Sequence, residues 1–422
     1  MRRFAPCLLL AAAACAADAS SDSAAWVATT DTVGDTIVVR TERGRVWPAD
    51  PRLVEEVRIG ALDGDEAYVL GQIQSVARSP AGEIYVLDTD VPTVRVYDAA
   101  GRHLRSIGRG GGGPGELDRP NGILFLPDGG WATADQGNGR LNVYNADDSF
   151  RTSIPLTTGF YTSSSPFVDT AGNIYVWIIA DRPEGEIFQT GLLRITPALE
   201  KADTIRQPVY PRYQAATLMA TSPDGNSRSA SGVPFTPSKN WTLSPAGYPV
   251  SGVSDRYAVL LHRHEGLLRI EKAGEPVPVA GGEASERRRQ IERNMMRVEP
   301  GWRWDGPDIP EAKPAFRNLF TDVEGRVWVQ LHTPGYQVEP EEPDPSIPPE
   351  ERPVPNTWRE HLAWDVFEPD GRYLGRVEGP DGFTLRWAGG DFLLGTISDE
   401  LGVPYMVGYR LTFDEAAAPG GG

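Results

Sequence analysis

The stretch G-R-G-G-G-G-P-G-E-L, residues 108–117, contains Gly108-x-Gly110-x-x-Gly113. Glycines at that spacing let backbone amides close around a pyrophosphate when a helix starts directly behind them, because the free amides and dipole of the helix N-terminus hold the anion. Here Pro114 and Gly115 follow, and then the apolar run G-I-L-F-L at 122–126, which has strand character. The segment is therefore expected to be a tight connector between strands. No G-x-x-x-x-G-K-[ST] loop occurs elsewhere, which removes the common triphosphate motif.

Other side-chain chemistries are sparse. Cys7 and Cys15 are the only cysteines and both lie in the N-terminal leader, so the folded part has no disulfide, no thiolate metal site and no cysteine nucleophile. The histidines are His103, His262, His264, His332 and His361. No G-x-S-x-G is present, and no histidine falls beside a candidate serine, so a serine triad is not expected.

The elements that would position any site emerge from an internal repeat. Residues 79–107 read S-P-A-G-E-I-Y-V-L-D, then V-R-V-Y-D-A-A-G-R-H-L-R-S-I: an apolar strand, a strand ending in Tyr-Asp, a glycine turn and a third strand. Apolar positions alternate with period two, as half-buried strands require. The order recurs at 127–155, 169–206, 244–271 and 322–376, and in shortened form at 387–411. Each copy follows a short apolar stretch such as I-Q-S-V-A-R at 73–78. Six units of four strands, here A to D, predict an all-β fold: a six-bladed β-propeller of antiparallel blades spanning 35–415. The last copy lacks strand D, and V-E-E-V-R-I-G at 54–60 matches the strand D segment L-R-S-I-G, so the N-terminal strand is expected to close the ring.

The segment V-R-V-Y-D-A-A-G-R-H-L-R-S-I-G-R-G-G-G-G-P-G-E-L-D-R-P-N-G-I resembles an NHL repeat with its G-x-G-P-G-E-[FL]-x-x-P joint. Over roughly 50–412 the chain resembles bacterial exported six-bladed propellers of the TolB/NHL-like superfamily. That resemblance implies a fold and little about function, because propellers host many unrelated tasks. No histidine falls on an inner strand A, which argues against a three-histidine zinc site and against the zinc-binding peptide-amidating lyase of similar fold. A likeness to calcium lactonases of the gluconolactonase type implies oxygen ligands at the channel, with Asn121, Asn240 and Asn318 near the starts of inner strands. The first inner strand, however, carries Gln72 and Gln74 where that family places an acid.

Meander geometry puts the B–C loops and the D-to-next-A connections on one face. The long insertions, 180–188, 207–238, 280–314 and 333–359, are all of that kind, and functional loops gather on one face of a rigid scaffold. Within them, E-A-S-E-R-R-R-Q-I-E-R-N-M-M-R at 283–297 predicts a basic helix, and V-E-P-E-E-P-D-P-S-I-P-P-E-E-R-P at 338–353 an acidic, extended segment. They either form a lid over a ligand or partner, or neutralise each other across the face. The channel mouth is expected to present Arg119, Asn121, Trp241, Arg317, Asn318, Arg386 and Trp387, a polar, aromatic and cationic set suited to an anionic or sugar-like small molecule or a peptide. The alternative is that these arginines pair with acids of neighbouring blades.

A formal net charge of −17 gives no electrostatic reason to bind nucleic acid or anionic lipid. Arg2, Arg3 and the short apolar run behind them read as an export signal over 1–15. Cys15 after A-A-A resembles a lipobox, although Ala12 stands where leucine is preferred; cleavage near Ala14, Ala17 or Ala19 is the alternative. Residues 16–34 read as a flexible tether and 416–422 as a disordered Gly/Ala tail. The expectation is a monomeric, non-enzymatic, exported binding propeller without cofactor, touching a membrane only through a lipid anchor. The competing reading is a calcium-dependent lactonase or hydrolase.

Overall fold

The computed structural model describes residues 25–156, 165–181, 189–210, 212–340, 346–348 and 352–413. The expected signal with Cys15, the first part of the tether, residues 182–188 of one insertion and the 416–422 tail lie outside them. Six antiparallel four-stranded units follow one another, as the repeat predicts. Blade one runs Ile73–Arg78, Ile84–Asp88, Thr93–Tyr97 and His103–Ile107. Blades two, three and four open on inner strands Pro120–Phe125, Phe167–Val168 and Lys239–Leu243; blades five and six open on Asn318–Thr321 and Thr384–Gly389. Strand D of blade six is Arg52–Ile59, antiparallel to Pro404–Thr412, with Arg52 opposite Thr412 and Ile59 opposite Met406. The N-terminal strand thus closes the ring.

The turns explain why so short a repeat suffices. Many A–B and C–D turns, such as Ser79–Gly82, Asp98–Gly101, Asp322–Gly325 and Glu368–Gly371, begin on Ser, Asp or Glu and end on glycine three residues later. In one, Gly101 donates to Asp98 O at 2.9 Å, and Asp98 Oδ1 accepts the amides of Ala100 and Arg102 at 3.0 and 2.9 Å. Gly101 has φ +80°, a conformation that suits glycine and lets strand C fold straight back as D.

Each neighbouring pair of blades encloses one apolar cluster. Between blades four and five, Val250, Val259, Leu261, Leu268 and Ile270 meet Phe316, Leu319, Val327, Val329 and Phe367. Between six and one, Phe392, Leu394 and Met406 meet Ile73, Val76 and Ile84, with Val57 and Ile59 of the closing strand in the same cluster. Blades three and four share the smallest, with Tyr175, Leu192 and Leu243 fully buried. Burying a large apolar side chain contributes roughly 1.5–3 kcal/mol, so these seams hold the ring.

One boundary differs from expectation. Part of the 16–34 tether is a strand, Val27–Val33, paired with Thr36–Arg43. The latter runs parallel to strand D of blade four, Gly266–Lys272, giving that blade six strands. Trp26 joins the blade four and five cluster and its indole donates to Thr41 Oγ1 at 3.2 Å. V-A-T-T-D-T-V lacks apolar alternation because this edge strand is exposed on both faces, so only its β-branched content favours a strand.

The glycine-rich stretch connects blade one to blade two. Its groups are spent internally: Gly113 donates to Glu116 Oε2 at 2.8 Å, Gly111 donates to Leu117 O at 3.0 Å, and Arg140 donates to Gly113 O and Glu116 O at 2.7 and 2.8 Å. The Glu116 carboxylate lies where a phosphate would have to enter, which agrees with the connector reading.

Candidate functional site

Three insertions fold into one cap. The segment after blade three forms a hairpin, Thr217–Thr221 with Arg228–Gly232. The segment after blade four carries a helix, α1 (Gly281–Val298), close to the expected 283–297. The insertion in blade five forms a second hairpin, Gly335–Gln337 with Trp358–Glu360. Leu218, Ala220 and Val233 of the first bury against Met295 and Trp302 of the second, with Ile291 and Val298 packed beside them. Ile291, Met295 and Val298 share one face of α1 at spacings of four and three, which is why that face turns inward. On the other side Glu286 accepts the Thr357 amide at 2.9 Å and its hydroxyl, and Gln290 Nε2 donates to Pro355 O at 3.0 Å.

At the base of the cap lies a buried ion cluster. Lys313 is fully buried, and its ammonium reaches Glu283 Oε1 at 2.8 Å, Glu360 Oε1 at 3.0 Å and Thr333 O at 3.2 Å, with the Phe235 ring 5.2 Å away. One lysine thus ties together all three insertions. Glu360 also accepts from the Thr333 amide at 3.0 Å and faces His332 Nδ1 at 3.0 Å. Burial raises the Glu360 carboxyl, but His332, the Thr333 amide and Lys313 together outweigh it and hold the group down at about 2. Glu283 Oε2 is buried without a hydrogen-bond partner among the described residues. A Cβ on Gly335 would stand 2.8 Å from that oxygen, so only glycine lets the hairpin approach.

Above this cluster opens a cavity of about 450 Å³ between cap and blade five. Its wall includes Phe235, Trp358, Arg287, Arg317 and Arg359, with Glu283, His332 and Glu360 at the floor. Arg287 donates to Gln290 Oε1 at 3.1 Å, and Arg359 to the carbonyl oxygens of Asn356 and Trp358 at 2.6 and 3.4 Å. Among the described residues the Arg317 guanidinium makes no hydrogen bond, and none of the three has a carboxylate partner.

Of the seven residues expected at the channel mouth, Arg317 is the one on this wall. The next residue, Asn318, is exposed and turns its Oδ1 onto the Leu319 amide at 2.8 Å. Arg119 adopts φ +49° and faces Asp118 at 3.7 Å, a sequence neighbour and not an acid of another blade. Asn121 is buried and accepts from Gln74 Nε2 at 3.2 Å. Trp241 packs edge-on against Trp177 at 5.0 Å between blades three and four. Trp387 packs against the clusters of blades six, one and two. Arg386 is exposed, without a carboxylate partner among the described residues, and lies outside the cavity wall. Asn240 bonds Ser238, so the amides of Asn240 and Asn318 both serve their own backbone surroundings. Among the described residues no three His, Cys, Asp or Glu side chains gather as a metal site. No helix among them is long and apolar enough to cross a membrane.

The expected separation of serine from histidine is incorrect. Ser251 Oγ lies 2.8 Å from His262 Nε2 and accepts from Tyr210 at 2.7 Å. Strands B and C of blade four place both on one face, a neighbourhood that linear spacing hides. Ser251 is fully buried and the third member is a tyrosine, so the chain is a structural hydrogen-bond relay between blades three and four. Sequence reading also missed Glu283, Arg287, Lys313, Trp358, Arg359 and Glu360 as a set. Lys313 carried one signal: it is one of four lysines among 41 basic residues. A buried site that must make three separate bonds suits an ammonium better than a planar guanidinium.

No family model matches the chain, and no curated protein does. Solved structures do resemble it. One is a member of the DUF4221 family from Bacteroides vulgatus, with TM-score 0.47 and 11% identity over 86% of this chain and 99% of that one. Another, from Bacteroides fragilis and classed as exported, has TM-score 0.46 and 9% identity over 86% and 95%. A streptogramin B lyase has TM-score 0.37 and 9% identity over 86% and 98%. The likeness is one of propeller scaffold alone.

Proposed function

We propose that this chain is an exported, non-enzymatic binding propeller of NHL-like type, and that it holds an anionic small molecule in the cavity beneath the cap. One observation carries the reading: Arg287, Arg317 and Arg359 line a single cavity without carboxylate partners among the described residues, in a chain of net charge −17 where acids abound. The two acids on the same wall are already engaged by Lys313. Guanidinium groups left unpaired in a concave, partly apolar site are arranged for a carboxylate or phosphate. The leader, with Arg2, Arg3 and Cys15 behind A-A-A, supports export and tethering at the envelope.

Calorimetric titration of the purified chain against neutral, cationic and anionic small molecules tests this. Anions should bind, and Arg317→Ala should weaken them at least tenfold. Binding of neutral sugars or of an envelope protein, with anions inert, would replace this reading. Metabolic labelling with palmitate, lost in Cys15→Ser, tests the anchor.

A further inference from the structure

We infer that the ligand presents a dianionic head, a phosphomonoester or a dicarboxylate, joined to a flat or apolar body; this rests on the anion-binding reading above. The charge at the site sets the number. Among the described residues, Arg287, Arg317, Arg359 and Lys313 bring four positive charges, and Glu283 and Glu360 bring two negative ones. At least two positive charges therefore remain. A monoanion leaves at least one guanidinium uncompensated beside like charges in the same cavity, where they repel. A dianion offsets two.

Two further features act in the same direction. Helix α1 begins at Ala280 without a side-chain cap, and Glu283 and Arg287 of its first two turns line the cavity. The positive end of an 18-residue helix therefore lies at the wall, where it favours a negatively charged head. Phe235 and Trp358 add apolar surface beside the arginines. Such walls hold the body of a ligand while guanidinium forks hold its head, the usual division of labour in small-molecule sites. The cavity, about 450 Å³, is within the range for a compact ligand of this kind.

Matched probes at pH 7.5 and low salt separate the possibilities. Glucose 6-phosphate, glucuronate and glucose share a ring and differ in charge; phthalate and benzoate do the same for carboxylates. Dianions should bind at least tenfold more tightly than their monoanionic partners. Whether glucose 6-phosphate or phthalate binds more tightly distinguishes the phosphate from the dicarboxylate head. Arg317→Ala should shrink the dianion preference below threefold, while Arg317→Lys, which keeps the charge, should retain most of it. If glucuronate binds within threefold of glucose 6-phosphate, and benzoate within threefold of phthalate, the dianion assignment is wrong although the anion site stands. If no anion binds, both fall.

Discussion

Two buried charge centres, one in blade five and one beneath the cap beside it, look alike and differ in their charge balance. Asp365 is fully buried and accepts from Tyr257 and Lys272 at 2.9 Å each on one oxygen, and from Tyr373 at 2.9 Å and Arg376 at 3.3 Å on the other. Lys313 is fully buried and surrounded by acceptors. Each has a cavity beside it, about 400 Å³ next to Asp365 and about 450 Å³ above Lys313. Next to Asp365, the cations Arg43, Arg45, Lys272 and Arg376 are equalled in number by Glu42, Asp50, Glu378 and Asp365, with Arg45 on Asp50 and both Lys272 and Arg376 on Asp365. Above Lys313 the three arginines have no carboxylate partner among the described residues, and cations outnumber acids. A buried charge or a hollow therefore does not by itself distinguish the two centres; the uncompensated charge does.

The largest effect should come from breaking the balanced centre. Asp365→Ala leaves Lys272 and Arg376 without their shared acid and strands two tyrosine hydroxyls at the seam of blades four and five. We expect a loss of about 3–5 kcal/mol in urea unfolding, since removing one partner of a buried ionic cluster exposes the full desolvation cost of the rest. Anion binding by the surviving folded fraction should be unchanged. A loss under 1 kcal/mol would dissolve the distinction between the two centres.

Next comes acid. Glu360 is held at about 2 in the folded chain against 4.5 for a free glutamate. A depressed carboxyl stabilises the fold above its unfolded value, and that contribution fades as pH falls through the folded one. The cap should therefore lose about 3 kcal/mol between pH 4.5 and 2. Hydrogen exchange should show the amides of α1 opening in this window before those of Val327–Gln330. Simultaneous opening would make cap and ring a single cooperative unit.

Smaller again is Arg317→Ala. It removes a charged, exposed group that makes no internal hydrogen bond, so unfolding free energy should change by less than about 0.5 kcal/mol. Ligand affinity should drop ten- to a hundredfold, about 1.4–3 kcal/mol. An equal fall in stability would make Arg317 part of the balanced framework and leave the comparison without its functional half.

The ring was legible because period-two alternation and glycine turns are local signals, and the closing strand because V-E-E-V-R-I-G repeats a neighbour's pattern. The face of the insertions was legible from strand direction. In blades one and two, strand B ends on Asp88 and Asp135, which accept the amides of Gly71, Gln72 and Asp118 and so pin short connectors. Blade five ends strand B on Gln330 instead, and there the chain expands into the cap. The site itself was mostly hidden, since Phe235, Glu283, Lys313 and Glu360 come from four places in the chain and meet only when three insertions pack together. Arg317 was found because it sits at the start of an inner strand, a position fixed by the repeat. Asn318 beside it turns onto its own strand, and the other five expected residues share that logic but sit at other blades, away from the cap.

The smallest effect separates the ring from the cap by pH. His262 lies at the seam of blades three and four, and burial lowers its pKa below the usual 6.5. Its Nε2 faces Ser251 Oγ, which already accepts from Tyr210; a neutral ring accepts the serine proton and completes the relay. Protonation would turn Nε2 into a donor and leave the buried serine proton without its acceptor. The folded state thus binds fewer protons than the unfolded one, so stability is full above pH 6.5 and declines as pH falls toward the folded value. His262 is only partly buried, so the decline should stay below about 1 kcal/mol. It should appear in ring unfolding with α1 still docked, and vanish in His262→Gln. If the slope below pH 6.5 survives that change, another group controls this window. If α1 opens in the same window, the cap depends on this seam as well as on Lys313.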